Sequence, residues 1–246
     1  MSHHLYRIIL LLPLLLAAGC ATDTSIRTAQ DYYKDGEELM SGKHYEDAIA
    51  AYKRAKETYY SPEMTAQAEL RIADTHFLAE KYIEASAAYE EFRKAHPTHE
   101  KAPYALYRQA LCAYRQIEGI DNDQTPVTNA VTLFELYLQR YPGREQAKEA
   151  ADLLEAARSR QLQYEIYIGS FYLRTKKFPA AIRRLEGALF RFPGSPYHDE
   201  TLYYLGQAYM ESGEKAKGRS AFERLVQEFP SSSLVMKASS FMEDKY

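Results

Sequence analysis

No tryptophan occurs among the 246 residues, and cysteine occurs only twice, at Cys20 and Cys112. Two thiols cannot make a disulfide framework, so the fold must stand on packing alone. Cys112 lies in the apolar string Ala110-Leu111-Cys112-Ala113 and reads as a small core residue. There is no basic excess: 31 Lys and Arg stand against 34 Asp and Glu, with no basic block, which argues against a nucleic-acid partner. The longest apolar run, Ile8 to Ala18, is 11 residues, whereas a membrane-spanning helix needs ~20. Catalytic signatures are missing too: there is no GxSxG, no phosphate-binding loop and no second thiol beside Cys112. His96-Pro97-Thr98-His99 is the one close histidine pair outside His3-His4, and Pro97 keeps a helix from presenting both rings on one face. Asp121-Asn122-Asp123 begins like a calcium loop, but Pro126 and Thr132 stand where Gly and Glu are required. These absences point away from an enzyme and away from any cofactor or metal.

The first residues form a separate object. Arg7 precedes the short apolar run, and Leu16-Ala17-Ala18-Gly19-Cys20 follows it. The length fits an export signal and not a spanning anchor. The string resembles the lipobox of bacterial lipoproteins, which implies cleavage after Gly19, lipidation of Cys20 and, with Ala21 next, delivery to the outer membrane. Acyl chains contribute ~0.8 kcal/mol per buried methylene, so such a Cys20 would anchor the chain stably. We therefore divide the chain into a signal peptide at 1–19, a lipidated tether at 20–28, a region at 29–143 and a region at 144–246. Removing the signal leaves 30 basic and 34 acidic residues.

The body of the chain repeats itself. Tyr45 to Tyr52 returns as Tyr82 to Tyr89, 37 residues on, and Phe178 to Leu185 returns more weakly as Lys215 to Phe222, again 37 on. A fixed period of this size marks units too small to bury their own apolar face, which must stack on neighbours. Repeats start at 29, 66, 103, 162 and 199. Position 8 is small in each (Gly36, Ala73, Ala110, Gly169, Gly206), and so is position 20 (Ala48, Ala85, Ala130, Ala181, Gly218). Position 24 is large (Tyr52, Tyr89, Phe134, Leu185, Phe222). Small residues let two antiparallel helices approach closely, and position 24 is expected to plug the gap between one pair and the next. Position 32 is Pro97, Pro142, Pro193 or Pro230, with Tyr60 in the first copy, and proline stops the second helix. The pattern resembles the tetratricopeptide repeat with longer turns. The expected fold is all-α, a right-handed superhelical solenoid of five such helix pairs.

Two irregularities interrupt it. Ala110 to Ala130 is 8 residues longer than the matching step from Ala73 to Ala85, the excess falling in the acidic loop 118–126. From Arg144 to Ile168 there is neither Gly nor Pro, which predicts one long helix, or two nearly continuous ones, over about 144–174 between repeats 3 and 4. It would part repeats 1–3 (29–143) from repeats 4–5, with Leu234 to Tyr246 as an amphipathic cap. On each first helix, positions 2, 5, 9 and 12 are expected to face the inner surface. Those positions nominate Tyr33, Met40, Asp74, Phe77, Tyr104, Tyr107 and Tyr114, with Arg115 beside them, as a groove for an extended peptide. Packing between adjacent first helices competes with that assignment.

More specific strings are Phe92 to His99, Asp121 to Pro126, Arg140-Tyr141-Pro142-Gly143, Tyr164-Glu165 and Phe171-Tyr172. With the lipobox and five repeats, they resemble the BamD (ComL-type) outer-membrane assembly lipoproteins over the whole mature chain. The resemblance implies a lipid-anchored, non-enzymatic protein on the periplasmic face of the outer membrane. Its implied partners are the β-barrel insertase with its periplasmic domains, docked by the C-terminal repeats, and unfolded outer-membrane protein segments, received by the N-terminal ones. Tyr59-Tyr60-Ser61-Pro62-Glu63 departs from the family's usual turn after repeat 1, so that rim is expected to differ. The alternative in the same physical class is a Tol–Pal or cell-wall-associated tetratricopeptide scaffold.

Overall fold

The computed structural model describes residues 27–58 and 61–245; Cys20, the signal segment, Tyr59 and Tyr60 lie outside that range. Every element in it is helical: α1 (Ala29–Ser41), α2 (Tyr45–Thr58), α3 (Pro62–Leu78), α4 (Tyr82–Ala95), α5 (Ala102–Arg115), α6 (Thr125–Arg140), α7 (Ala147–Arg174), α8 (Phe178–Arg191), α9 (His198–Glu211), α10 (Lys215–Glu228) and α11 (Leu234–Lys245). Each helix packs chiefly on its neighbours in sequence, as a solenoid requires.

Local chemistry sets the ends. Thr28 and Asp31 form a capping box: Thr28 Oγ1 accepts from the Asp31 amide at 3.2 Å, and Asp31 Oδ2 accepts from the Thr28 amide at 2.7 Å. Ser61 caps α3 just before Pro62, whose missing N–H costs nothing in a first turn. The short turns after α1, α3, α7 and α9 each hold one residue with a left-handed backbone: Lys43 (φ 62°), Glu80 (φ 59°), Lys176 (φ 59°) and Gly213 (φ 92°). All four occupy the same place in their repeats, and only the last is the residue that adopts it without strain.

The core follows the size pattern. All five residues at position 24 are fully buried, over small residues on the facing helix. A Cβ on Gly36 would lie 2.5 Å from Tyr52 Cε1, and one on Gly206 2.5 Å from Phe222 Cε1, so helix spacing there depends on the missing methyl. Position 24 therefore fills the crossing within its own pair first, against position 8. It reaches the next repeat as well: Tyr52 shares its cluster with Ala68 of α3. Cys112 is buried, and burial pushes its thiol up to about 12.

The long helix α7 is continuous over 28 residues, ~42 Å. It begins at Ala147, three residues later than the sequence implied, because residues 142–146 turn after α6 with Arg144 N bonded to Tyr141 O. Its first half buries Ala150, Leu154 and Ala157 against Phe134 and Tyr137 of α6. Its second half is the first helix of repeat 4, with Leu162 and Ile166 packed on Ala188 of α8. Repeats 4 and 5 are thus set off from repeats 1–3 by about half of α7. Over the last pair lies α11, with Ala238 buried and Phe241 6.0 Å from Phe222.

Candidate functional site

The first helices α1, α3 and α5 carry a linked row of charges and phenols. Glu37 Oε1 accepts from the Tyr52 hydroxyl at 2.6 Å and from Arg71 Nε at 2.6 Å, while Arg71 Nη2 donates to Glu37 Oε2. Arg71 Nη1 also faces Asp74 Oδ2 at 3.8 Å. Asp74 is 7% exposed, and its Oδ1 accepts from the hydroxyls of Tyr89 at 2.6 Å and Tyr104 at 2.9 Å. Arg108 Nε donates to the Tyr89 hydroxyl at 3.1 Å, and its guanidinium lies 3.6 Å over the Phe77 ring.

The row has an internal rule. In repeats 1 and 2 an acid at position 9 (Glu37, Asp74) accepts from a tyrosine at position 24 (Tyr52, Tyr89), and the Arg at position 6 of the next repeat (Arg71, Arg108) faces that pair. In repeat 3 the acid becomes Leu111 and the tyrosine becomes Phe134, so carboxylate and hydroxyl disappear together. That co-occurrence is what burial demands, since a carboxylate without donors is costly and a buried hydroxyl needs an acceptor. Burial is the largest cause pushing the Tyr52 and Tyr89 hydroxyls far up, with Glu37 and Asp74 adding to it, so both remain protonated donors. Tyr104 is pushed up to about 12 by burial and then by Asp74. Burial pulls Glu37 upward, but hydrogen bonds from Arg71 and Tyr52 outweigh it and hold the carboxyl below its ordinary value.

The nominated groove residues divide. Tyr33, Met40, Asp74, Phe77 and Tyr104 gather around this row. Tyr33 stands edge-on to Tyr52 at 5.5 Å, and Met40 Sδ accepts from Thr75 Oγ1 across to α3 at 3.4 Å. Tyr107 does not belong to an open groove: it is 6% exposed, with its ring 5.7 Å from Tyr137, and burial, then Glu149 of α7, pushes its hydroxyl pKa up. Tyr114 is half-buried against Phe134 at 6.3 Å. Arg115 is exposed at the far end of α5, near the Glu80-Lys81 turn, two turns beyond Arg108. The reason is angular. At about 100° per residue, positions 5 and 12 turn towards the next first helix, and positions 2, 6 and 9 face inward. Arg71 and Arg108 at position 6 were missed for that reason, although Lys34, Arg71 and Arg108 recur every 37 residues. Among the described residues no acceptor bonds the terminal Nη atoms of Arg108, which leaves donors for a carboxylate or a peptide carbonyl.

In repeats 4 and 5 the same position is Tyr167 and Tyr204, and the row turns aromatic. Tyr167 is 39% and Phe171 45% exposed. The other singled-out strings have local partners. His96 Nε2 lies 2.8 Å from Glu69 Oε2 with its ring on Phe92, and Asp123 Oδ1 accepts from the Thr125 amide at 2.9 Å. Glu165 is buried and ion-paired with Arg184 at 2.9 Å and Arg191 at 2.8 Å, so it ties α7 to α8.

The model of a family described as "YfiO: Outer membrane lipoprotein" matches residues 26–221. An outer membrane protein assembly factor BamD of Rickettsia prowazekii is 29% identical over 200 residues, covering 81% of this chain and 80% of the relative. The protein of the same name from Caulobacter vibrioides is 25% identical over 197 residues, 79% of this chain but 65% of the relative. Among solved structures, the TPR2AB-domain:pHSP90 complex of yeast Sti1 aligns over 88% of this chain and 84% of that one, at 10% identity and a TM-score of 0.44.

Proposed function

Because the chain belongs to the YfiO outer membrane lipoprotein family, we propose that it is a lipid-anchored periplasmic scaffold for assembling β-barrel proteins into the outer membrane. Its similarity to proteins named outer membrane protein assembly factor BamD supports that role. The work is binding and not catalysis. Cys20 carries the acyl anchor, the inner face of repeats 1–3 receives the C-terminal targeting segment of a barrel substrate, and repeats 4–5 dock the insertase. Exposed Tyr167 and Phe171 give the docking side aromatic area.

The observation that carries the substrate half is Arg108, a half-buried guanidinium over Phe77 with open Nη donors. Phe77 and Tyr104 beside it, and Tyr33 further along the row against Tyr52, offer rigid rings that lose little entropy on binding. A chain-terminal carboxylate on Arg108 would form charge-assisted hydrogen bonds worth ~1.5–3 kcal/mol. The test is anisotropy of a labelled peptide ending in an aromatic residue and a free carboxylate. Arg108→Gln should weaken binding at least tenfold, and amidating the peptide should weaken wild type as much while leaving Arg108→Gln unchanged. Equal affinity of wild type for both peptides would remove Arg108 from the site. Membrane retention of Cys20→Ser after a high-salt wash would remove the anchor.

A further inference from the structure

The two edges of repeats 1–3 differ in charge. One edge holds the N-terminus of α1, and with it the ends of α4 and α6 and the starts of α5 and α7. There stand Arg93, Lys94 and Lys101 around the α4–α5 turn, and Arg140, Arg144 and Lys148 around the α6–α7 turn, opposed in the turns by Glu100 and Glu145 and within the adjoining helices by Glu90 and Glu149. The opposite edge leans acidic: Glu80, Glu84, Glu118 and Asp123 share one surface across the α3–α4 and α5–α6 turns with only Lys81 and Arg115 as cations. We propose that the edge bearing the α4–α5 and α6–α7 turns is a docking surface for anionic phospholipid headgroups.

Helix dipoles do not account for this edge. Cations complement a helix C-terminus, which suits Arg93, Lys94 and Arg140, but Lys101 is the N-cap of α5 and Lys148 the second residue of α7, where a cation is disfavoured. Internal pairing does not account for it either. Lys94 meets Glu90 at 2.5 Å and Lys101 meets Glu100 at 3.9 Å, exposed pairs of little strength. Among the described residues Arg140, Arg144 and Lys148 meet no carboxylate, and all three are exposed. Arg93 and Arg140 face each other closely enough that Arg140's charge, after burial, lowers the Arg93 pKa. The acidic edge lies about 20 Å away along 14-residue helices, twice the ~10 Å Debye length at 0.1 M salt, so it does not cancel the basic one.

Position points the same way. Thr28 caps α1 on the basic edge, and the tether from 20 to 28 spans at most ~28 Å. The first half of α7 runs away from that edge along α6 and sets repeats 4 and 5 about 20 Å back from it, leaving repeats 1–3 to meet a flat surface. The proposal rests on the lipid-anchored reading for which membrane is met, but its test does not use the anchor.

Mature Cys20→Ser protein is mixed with vesicles of phosphatidylglycerol in phosphatidylethanolamine, or of phosphatidylcholine alone, and sedimented. Each basic residue near an anionic leaflet raises partition up to roughly fivefold. We expect binding to the acidic vesicles only, reversed by 0.5 M salt, and at least a tenfold loss in Arg140→Glu/Arg144→Glu/Lys148→Glu. Lys43→Glu on the opposite edge should bind like wild type. If the triple variant melts lower, the neutral set Arg140→Gln/Arg144→Gln/Lys148→Gln replaces it, with the same expected direction. Equal binding of wild type to both vesicles, or undiminished binding of the charge variants, overturns the proposal. Salt-sensitive binding to polyglutamate without vesicle binding would also overturn it, giving the edge to an acidic protein. An acylated wild type that washes off membranes would sink the anchor and leave the vesicle result readable.

Discussion

Substituting Gly169 probes how closely the two helices of repeat 4 must approach. A Cβ there would lie 2.7 Å from Leu185 Cδ2 and 2.8 Å from its Cγ, where carbon–carbon contacts prefer ~3.5–4.0 Å. Leu185 is fully buried, so relief requires about 1 Å of separation between α7 and α8. Alanine gains ~1 kcal/mol of helix propensity over glycine and loses ~1–3 kcal/mol to overpacking, for a net loss of about 0–2 kcal/mol. Leucine adds three further carbons in the same place, and a net loss of ~2–3 kcal/mol is expected. At 2–4 °C per kcal/mol for a chain of this size, Gly169→Leu should lower the melting temperature by about 5–10 °C in circular dichroism. Hydrogen exchange should place the loosening in α7 and α8, because solenoid stability is largely local. Gly169→Leu with Leu185→Ala should recover at least ~1 kcal/mol relative to the sum of the single changes. An unchanged melting temperature, or a double variant that is merely additive, would refute the close crossing.

Tyr89→Phe removes one of two hydroxyl donors to buried Asp74 and the acceptor of Arg108 Nε, so denaturant unfolding should show a loss of ~1–3 kcal/mol. Tyr104→Phe should cost less, because Tyr104 is only half-buried. Glu37 has a depressed carboxyl pKa, so its contribution is present above ~4.5 and lost as pH falls through the folded value. Glu37→Gln should therefore be less stable than wild type at pH 6 and lose less between pH 6 and pH 3 in thermal melts. Lys176→Gly relieves a left-handed backbone at φ 59°, and chemical denaturation should show a gain of about 0.5–1 kcal/mol.

The crossings were legible in sequence because steric limits leave a size signature: Gly36 beneath Tyr52 and Gly206 beneath Phe222 can be read from letters alone. The inner face was less so. Which side of α5 turns inward depends on how α7 leans over it, and that lean buries Tyr107 while Tyr33 stays half-open. The start of α7 was misplaced because neither Gly nor Pro lies between Arg144 and Ala147; the turn is made instead by backbone bonds from Arg144 to Tyr141 and Ala147 to Arg144. The charge row is written in the sequence as a dependence between positions: an acid and a tyrosine recur in repeats 1 and 2, each followed by an arginine at position 6 of the next repeat, and acid and tyrosine vanish together in repeat 3. Pairwise dependence of that kind is invisible when each position is scanned alone.

The most direct measurement is capture of the acylated full chain from detergent-solubilised outer membranes, followed by identification of what comes with it. The account predicts the β-barrel insertase in near-equal amount, retained by Arg108→Gln and lost on Tyr167→Ala/Phe171→Ala, whose exposed side chains form the proposed docking face. Recovery of Tol–Pal components without insertase would contradict it.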